Sequence, residues 1–258
     1  MHKIKLYGER NSGTNYLEKL ITLNLNVHQM RSQVPWYIVR LQKIMPDNEI
    51  LRDLYFQITF RYNLGWKHTL VPPSEVLQKY VPVKSVSFVT ITKNPYSWLL
   101  SMHARPHHYY DYAQRTDFET FLTSRWHTLK RDNTPYRVVQ NPIVLWNIKN
   151  ASYISLAGSQ PTVTLRFEDL LAAPADAISC LADRFFLSWK NERFQAYEQS
   201  TKGDYDKNTG TYRDYYLNER WRNRLSSNAI KIINQYLDPK VVEYFGYDLL
   251  PHPFTLDR

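Results

Sequence analysis

Lys3 to Tyr7 alternates polar and apolar residues and stops at Gly8, the pattern of a short strand. From Thr14 to Asn26, the residues Tyr16, Leu17, Leu20, Ile21 and Leu25 recur at helical spacing. The chain therefore opens as strand, loop, helix. Val27 to Tyr62 is rich in aromatic residues and has no clean period. It is read as an insertion near Pro35 to Pro46 followed by a helix over Glu49 to Gln57. Tyr62 to Lys67 reads as a second strand, and Pro72-Pro73-Ser74 starts a helix that runs to Tyr80. Ser85 to Thr92 is the clearest strand, β-branched and apolar. Helices are expected over Pro95 to His103, Phe118 to Leu129 and Pro142 to Leu156. A strand follows over Thr162 to Phe167, then a helix over Pro174 to Phe186, an ordered loop over Ser200 to Tyr216, and a last helix over Asn218 to Leu237.

Strands that alternate with helices imply an α/β fold in three layers, a central parallel sheet flanked by helices. The 258 residues suit a single domain spanning 1–258, and no internal repeat divides them. Ligands in such folds bind beyond the carboxyl ends of the strands.

Composition narrows the chemistry. The formal charge of +9 suits nucleic acid, an acidic membrane surface or a polyphosphorylated nucleotide. The basic residues are scattered, which speaks against a nucleic-acid tail. No apolar run approaches the length of a membrane span, and the first residues hold no apolar signal core. Cys180 is the sole cysteine, so no intramolecular disulfide exists. A reducing, cytoplasmic setting is expected, with Cys180 read as a buried thiol in an apolar helical pattern.

Gly8-Glu9-Arg10-Asn11-Ser12-Gly13-Thr14 joins the first strand to the first helix, the layout of a loop that cradles phosphate with backbone N–H groups and a helix N-terminus. A nucleotide-kinase loop would continue with Lys and then Ser or Thr. Thr14 and Asn15 stand there instead, which disfavours a magnesium-ATP enzyme. After the clearest strand comes Lys93-Asn94-Pro95-Tyr96-Ser97-Trp98-Leu99-Leu100-Ser101. Its Lys93 and Ser101 lie eight positions apart, close enough to face one groove at a helix start.

These two segments together resemble the sulfotransferase family that uses 3′-phosphoadenosine 5′-phosphosulfate (PAPS) as co-substrate. The resemblance implies that Arg10, Asn11, Ser12, Gly13, Thr14 and Asn15 line the 5′-phosphosulfate, and that Lys93 and Ser101 hold the 3′-phosphate that distinguishes PAPS from ATP. Arg166-Phe167-Glu168-Asp169-Leu170 is similar to a structural segment of the family. Lys202-Gly203 is similar to a late loop that closes over the 3′-phosphate. The chain departs from the family at Asn11, where a Lys or Arg is usual, so the missing cation is assigned to Arg10 or to another basic residue. Glu9 is unusual beside an anion; it faces away, orients Arg10 or touches the acceptor.

Trp66-Lys67-His68 is similar to the family's Lys-x-His segment. The resemblance implies His68 as general base, with a pKa suited to the task, and Lys67 as a cation on the bridging oxygen. A second cluster, His103, His107, His108, Tyr109 and Asp111, has no convincing zinc spacing and is read, with Glu9, as acceptor-binding. The resemblance implies a small-molecule or saccharide acceptor that the sequence does not identify further, and no metal, nucleic acid or stable membrane insertion is expected. The alternatives are a P-loop kinase-like phosphotransferase and a basic nucleic-acid-binding domain.

Overall fold

The computed structural model describes residues 2–44, 49–80, 86–106, 116–199 and 209–251. Strand β1 (Lys3–Gly8) leads through the loop into α1 (Thr14–Asn24), then β2 (His28–Gln29), α2 (Trp36–Ile44), α3 (Glu49–Ile58), the short α4 (Phe60–Asn63) and α5 (Ser74–Tyr80). β3 (Val86–Thr92) runs into α6 (Pro95–Ala104) and α7 (Phe118–Thr123), followed by the two-residue strands β4 (Trp126–His127) and β5 (Val138–Val139). Then come α8 (Pro142–Ala157), β6 (Thr162–Arg166), α9 (Phe167–Ala172), α10 (Pro174–Phe185), α11 (Thr209–Leu217), α12 (Ser227–Tyr236) and α13 (Pro239–Tyr244).

The central sheet is wholly parallel, in the order β2-β1-β3-β6. All seven residues of β3 are buried, as expected of a strand covered on both faces. Leu17, Leu20 and Ile21 of α1, Trp98 of α6 and Trp146 of α8 join the same core. This is the α/β architecture that the sequence pattern implies. β1 and β3 both end at the edge where the loop and Lys93 emerge, so the sheet delivers the two motifs side by side.

Tyr62 to Lys67 is not a strand. It is the end of α4 followed by a tight turn, because Leu64 and Gly65 take positive φ angles of 56° and 87° that no strand accommodates. The fourth strand of the sheet is β2, too short to stand out as a period. The helix that starts at Phe118 stops at Thr123, since Trp126 pairs with Val139 across a separate antiparallel ribbon. The expected last helix breaks at Glu219, which has φ 47°. A 3-10 turn follows over Arg220–Arg224, and a new helix starts where the Ser226 side chain accepts from the Ala229 N–H. Of the expected loop over Ser200 to Tyr216, residues 209–216 belong to α11 and the rest lie outside the described residues. Cys180 is exposed: α10 buries Ala177, Ile178, Leu181, Ala182 and Phe185, which leaves position 180 on the outer face. No described helix is long and apolar enough to cross a membrane.

Lys5 alternates with apolar neighbours in β1, yet it is fully buried because the strand is covered on both faces. Its ammonium donates to the Gly65 carbonyl at 2.5 Å. Burial lowers its pKa from 10.5 to about 7, with Glu18 opposing the shift and Lys67 adding to it. Below pH 7 the group is charged in both folded and unfolded chains, and the full burial cost applies. Between pH 7 and 10.5 the unfolded chain binds the extra proton, so stability rises with pH across that window. Lys5→Met is expected to be more stable than wild type at pH 6 by ~2 kcal/mol or more, the gap shrinking toward pH 10. Urea midpoints at several pH values check this; a gap independent of pH would refute it.

Candidate active site

The loop after β1 turns on two left-handed residues, Asn11 at φ 64° and Gly13 at φ 84°. Asparagine tolerates this region better than most side chains. A Cβ on Gly13 would collide with the Phe167 ring, so both the conformation and the space require glycine there. The Asn11 amide donates to the Ser101 and Arg105 carbonyls at 3.3 and 3.2 Å, satisfying backbone acceptors at the end of α6. Asn11 thus ties the loop to α6, which accounts for an uncharged residue at a place where a cation was expected. Ser12 and Thr14 are buried beside it. The N-terminus of α1 has no side-chain cap and no acidic residue in its first turn, so its field and its N–H groups are open to an anion.

Gly8 fastens the loop to the segment Lys67-His68. Its N–H donates to the Lys67 carbonyl at 2.9 Å, and His68 Nδ1 lies 2.5 Å from the Gly8 oxygen. A carbonyl only accepts, so Nδ1 carries the hydrogen and Nε2 is the basic nitrogen of the neutral ring. The Lys67 ammonium is buried and donates to Asn15 Oδ1 at 2.5 Å and Glu18 Oε2 at 2.7 Å. Burial lowers its pKa, and Glu18 opposes the shift.

Arg10 and Glu9 turn inward. The guanidinium pairs with Glu9 Oε1 and Asp132 Oδ1, each at 3.0 Å, and Lys149 Nζ lies 3.4 Å from Glu9 Oε2 and 3.7 Å from Asp132 Oδ1. Burial alone would pull the Arg10 pKa down; Asp132 and Glu9 outweigh it and the net shift is upward. Two cations and two carboxylates therefore balance inside the protein. Of the roles the sequence left open for Glu9, the geometry matches the one that orients Arg10.

Lys93 and Ser101 meet as their spacing implies: Lys93 Nζ donates to Ser101 Oγ at 2.9 Å, and Ser101 Oγ donates to the Ser97 carbonyl. Lys93 is 1% exposed; its ammonium lies 3.9 Å from the Tyr216 ring centre and 5.0 Å from that of Phe167, and pairs with no carboxylate among the described residues. Trp98 and Trp146 hold the two loops by donating to the Arg10 and Lys93 carbonyls. Glu168 accepts from the Asn94 N–H and from the Tyr247 hydroxyl, a structural duty for the Arg166 to Leu170 segment.

His103 does not join this group. Its Nε2 lies 3.0 Å from the Thr116 carbonyl oxygen, and its ring packs on Phe118 and Phe121 of α7. His107, His108, Tyr109, Asp111, Lys202 and Gly203 lie outside the described residues.

Asp132, Lys149, Tyr216 and Trp66 escaped sequence reasoning. Asp132 and Lys149 reach the loop from far along the chain, with no spacing to betray them. Tyr216 had a signal, the run Tyr212, Tyr215, Tyr216 on one helix face. Trp66 carries the Arg10 and Arg131 guanidinium carbons 4.6 and 4.5 Å from its ring centre and stands edge-on to His68 at 4.7 Å. A cleft of about 530 Å³ opens beside it, lined by Asp53, Phe56, Phe60, Trp66, Tyr80 and Arg131. A second cleft, of about 860 Å³, reaches Asn15 and Glu18, the partners of Lys67.

No protein-family model matches the chain, and no curated protein matches it in sequence. Among solved structures, a sulfotransferase from Alicyclobacillus acidocaldarius is similar over 96% of this chain and 97% of its own, at 10% identity and a TM-score of 0.48. The sulfotransferase domain of the Synechococcus PCC 7002 olefin synthase is similar over 97% of this chain and 95% of its own, at 13% identity and a TM-score of 0.44. Likenesses at these identities and scores assign no function to the chain.

Removing one carboxylate from the buried network would leave a cation unmatched. Asp132→Asn is expected to cost about 3 kcal/mol of stability or more, read as a lower urea midpoint with an unchanged denaturant slope. A midpoint equal to wild type would show that the network does not need Asp132.

Proposed function

We propose that the protein is a sulfotransferase that moves the sulfuryl group of PAPS to a hydroxyl or amine of a small-molecule or saccharide acceptor. The observation that carries this reading is Lys93, a buried ammonium without a carboxylate among the described residues and already on Ser101. A buried charge is costly unless paired, and an anionic group bound against Lys93 and Ser101 would pair it. The 3′-phosphate of PAPS is that group in this reading. The uncapped N-terminus of α1, tied to the Ser101 backbone through Asn11, supports a second anion nearby, the 5′-phosphosulfate. The lysine and hydroxyl of a magnesium-ATP loop are absent from the positions now held by Thr14 and Asn15.

In the transfer, the acceptor oxygen or nitrogen attacks sulfur in line with the 5′-phosphate oxygen. A bond from acceptor to sulfur forms, the sulfur–oxygen bond to the nucleotide breaks, and adenosine 3′,5′-bisphosphate leaves. His68 Nε2 takes the acceptor proton; the Nδ1 bond to Gly8 supports this tautomer. Lys67 and the α1 N-terminus offset charge on the departing oxygen. Arg10, matched by Glu9 and Asp132, positions the loop in place of supplying a free cation. In this reading the acceptor enters through the cleft beside Trp66, the ring that stands edge-on to His68. The sole cysteine fits a cytoplasmic setting.

Adenosine 3′,5′-bisphosphate at saturation is expected to raise the melting temperature by mass action, Lys93→Ala to abolish the rise, and ATP to give much less of it. No rise in the wild-type protein would overturn the reading. For the base, His68→Ala is expected to lose about 10²–10⁴-fold in turnover of labelled PAPS while keeping the nucleotide-induced stabilisation. Turnover near wild type would remove His68 from that role.

A further inference from the structure

The described residues between Trp36 and Tyr62 leave many large apolar side chains in water, although Phe56 is buried. Of the seventeen large hydrophobic residues exposed among the described residues, nine lie in this one stretch. Trp36 is 72% exposed, Ile44 73% and Ile58 74%, values more usual for lysines. Ile50, Leu54 and Ile58 follow one another at intervals of four on α3 and form a stripe. α2 packs beside α3, with Arg52 Nε donating to Gln42 Oε1 at 2.6 Å, so the two helices present their apolar residues together. Soluble proteins scatter such residues singly; a concentration of them marks a contact surface.

The charges around this surface select what it contacts. Residues 31–62 contain Arg31, Arg40, Lys43, Arg52 and Arg61 against Asp47, Glu49 and Asp53. Two of the three acids are neutralised from outside the segment, since Arg131 pairs with both Glu49 and Asp53. Arg31, Arg40 and Arg61 remain exposed, Arg61 lying over the Tyr62 ring at 4.4 Å. A second copy docked through the same face would bring two basic patches together, on a protein that already carries +9. An anionic bilayer supplies both what the apolar side chains and what the cations need. Trp and Tyr prefer the headgroup level, aliphatic side chains enter the acyl boundary, and arginines meet acidic lipids.

We propose that the α2–α3 face is a peripheral docking surface for an anionic lipid bilayer. The helices lie in the plane of the interface and do not cross it: α2 has 9 residues and α3 has 10, far short of a span. The inference stands independently of the sulfotransfer reading.

Co-sedimentation of the full chain with vesicles tests it. Binding to phosphatidylcholine vesicles that contain phosphatidylglycerol is expected at low salt, with about tenfold less or weaker binding to phosphatidylcholine alone and at high salt. The variant Trp36→Ser/Ile44→Asp/Ile58→Asp is expected to lose binding about tenfold or more, while Phe186→Asp, at a 95% exposed position outside the segment, keeps it. Circular dichroism and the unfolding midpoint establish that the triple variant is folded. If it is not, Arg40→Glu/Arg61→Glu decides by the same measure: loss on anionic vesicles supports the proposal, unchanged binding overturns it. Failure of the wild-type chain to bind anionic vesicles would overturn it, as would equal binding by a folded triple variant. So would a dimer dispersed by the triple variant in a protein that ignores vesicles.

Discussion

Two hydrogen bonds on Gly8 decide where the segment Lys67-His68 sits. Its N–H holds the Lys67 carbonyl and its carbonyl holds His68 Nδ1, so a segment with no place in the sheet is fastened to the end of β1. The Lys5 ammonium adds a third tie from the same strand to the Gly65 carbonyl just upstream. With Lys67-His68 fixed there, Lys67 meets Asn15 and Glu18 in the first turns of α1, and His68 Nδ1 is committed to the Gly8 carbonyl. A Cβ on Gly8 would stand 2.5 Å from Ile91 Cγ2 and 2.7 Å from Thr14 Cγ2, so the strand can come this close to β3 and α1 only as glycine.

The site then divides into parts with different electrostatics. Around Arg10 the charges close on themselves: Glu9 and Asp132 answer Arg10 and Lys149 in the buried interior. Around Lys93 they do not close among the described residues, and the ammonium rests on a hydroxyl and two aromatic faces. The first arrangement resembles a keystone, set before any ligand arrives. The second is a demand for an anion. Both are buried, yet only the second leaves a charge unmatched among the described residues.

How much of this was legible in the sequence follows from distance along the chain. β1, β3 and the helices after them announce themselves through continuous apolar runs and Asn-Pro or Gly signals, so the parallel sheet and the Lys93–Ser101 pair could be read directly. The segment 62–67 could not, because apolar residues near a turn imitate a strand until positive φ angles at Leu64 and Gly65 are known. Asp132 and Lys149 were invisible because only tertiary folding brings them to Arg10. Without Asp132 in view, Arg10 looked like a spare cation for a phosphosulfate. Position 11 misled in the opposite way: an asparagine where charge was expected reads as a gap, whereas its amide closes the end of α6.

The neutral cluster behind the loop also constrains how this sequence can change over time. Glu9, Arg10, Asp132 and Lys149 form a set whose members are worth keeping only together, since each alone is an unmatched charge in the interior. A single exchange at any of the four positions leaves an unmatched charge inside, while a paired exchange, one acid with one base, keeps the balance. The constraint therefore ties the start of the chain to its middle: the fate of Glu9 and Arg10 is bound to residues more than a hundred positions away.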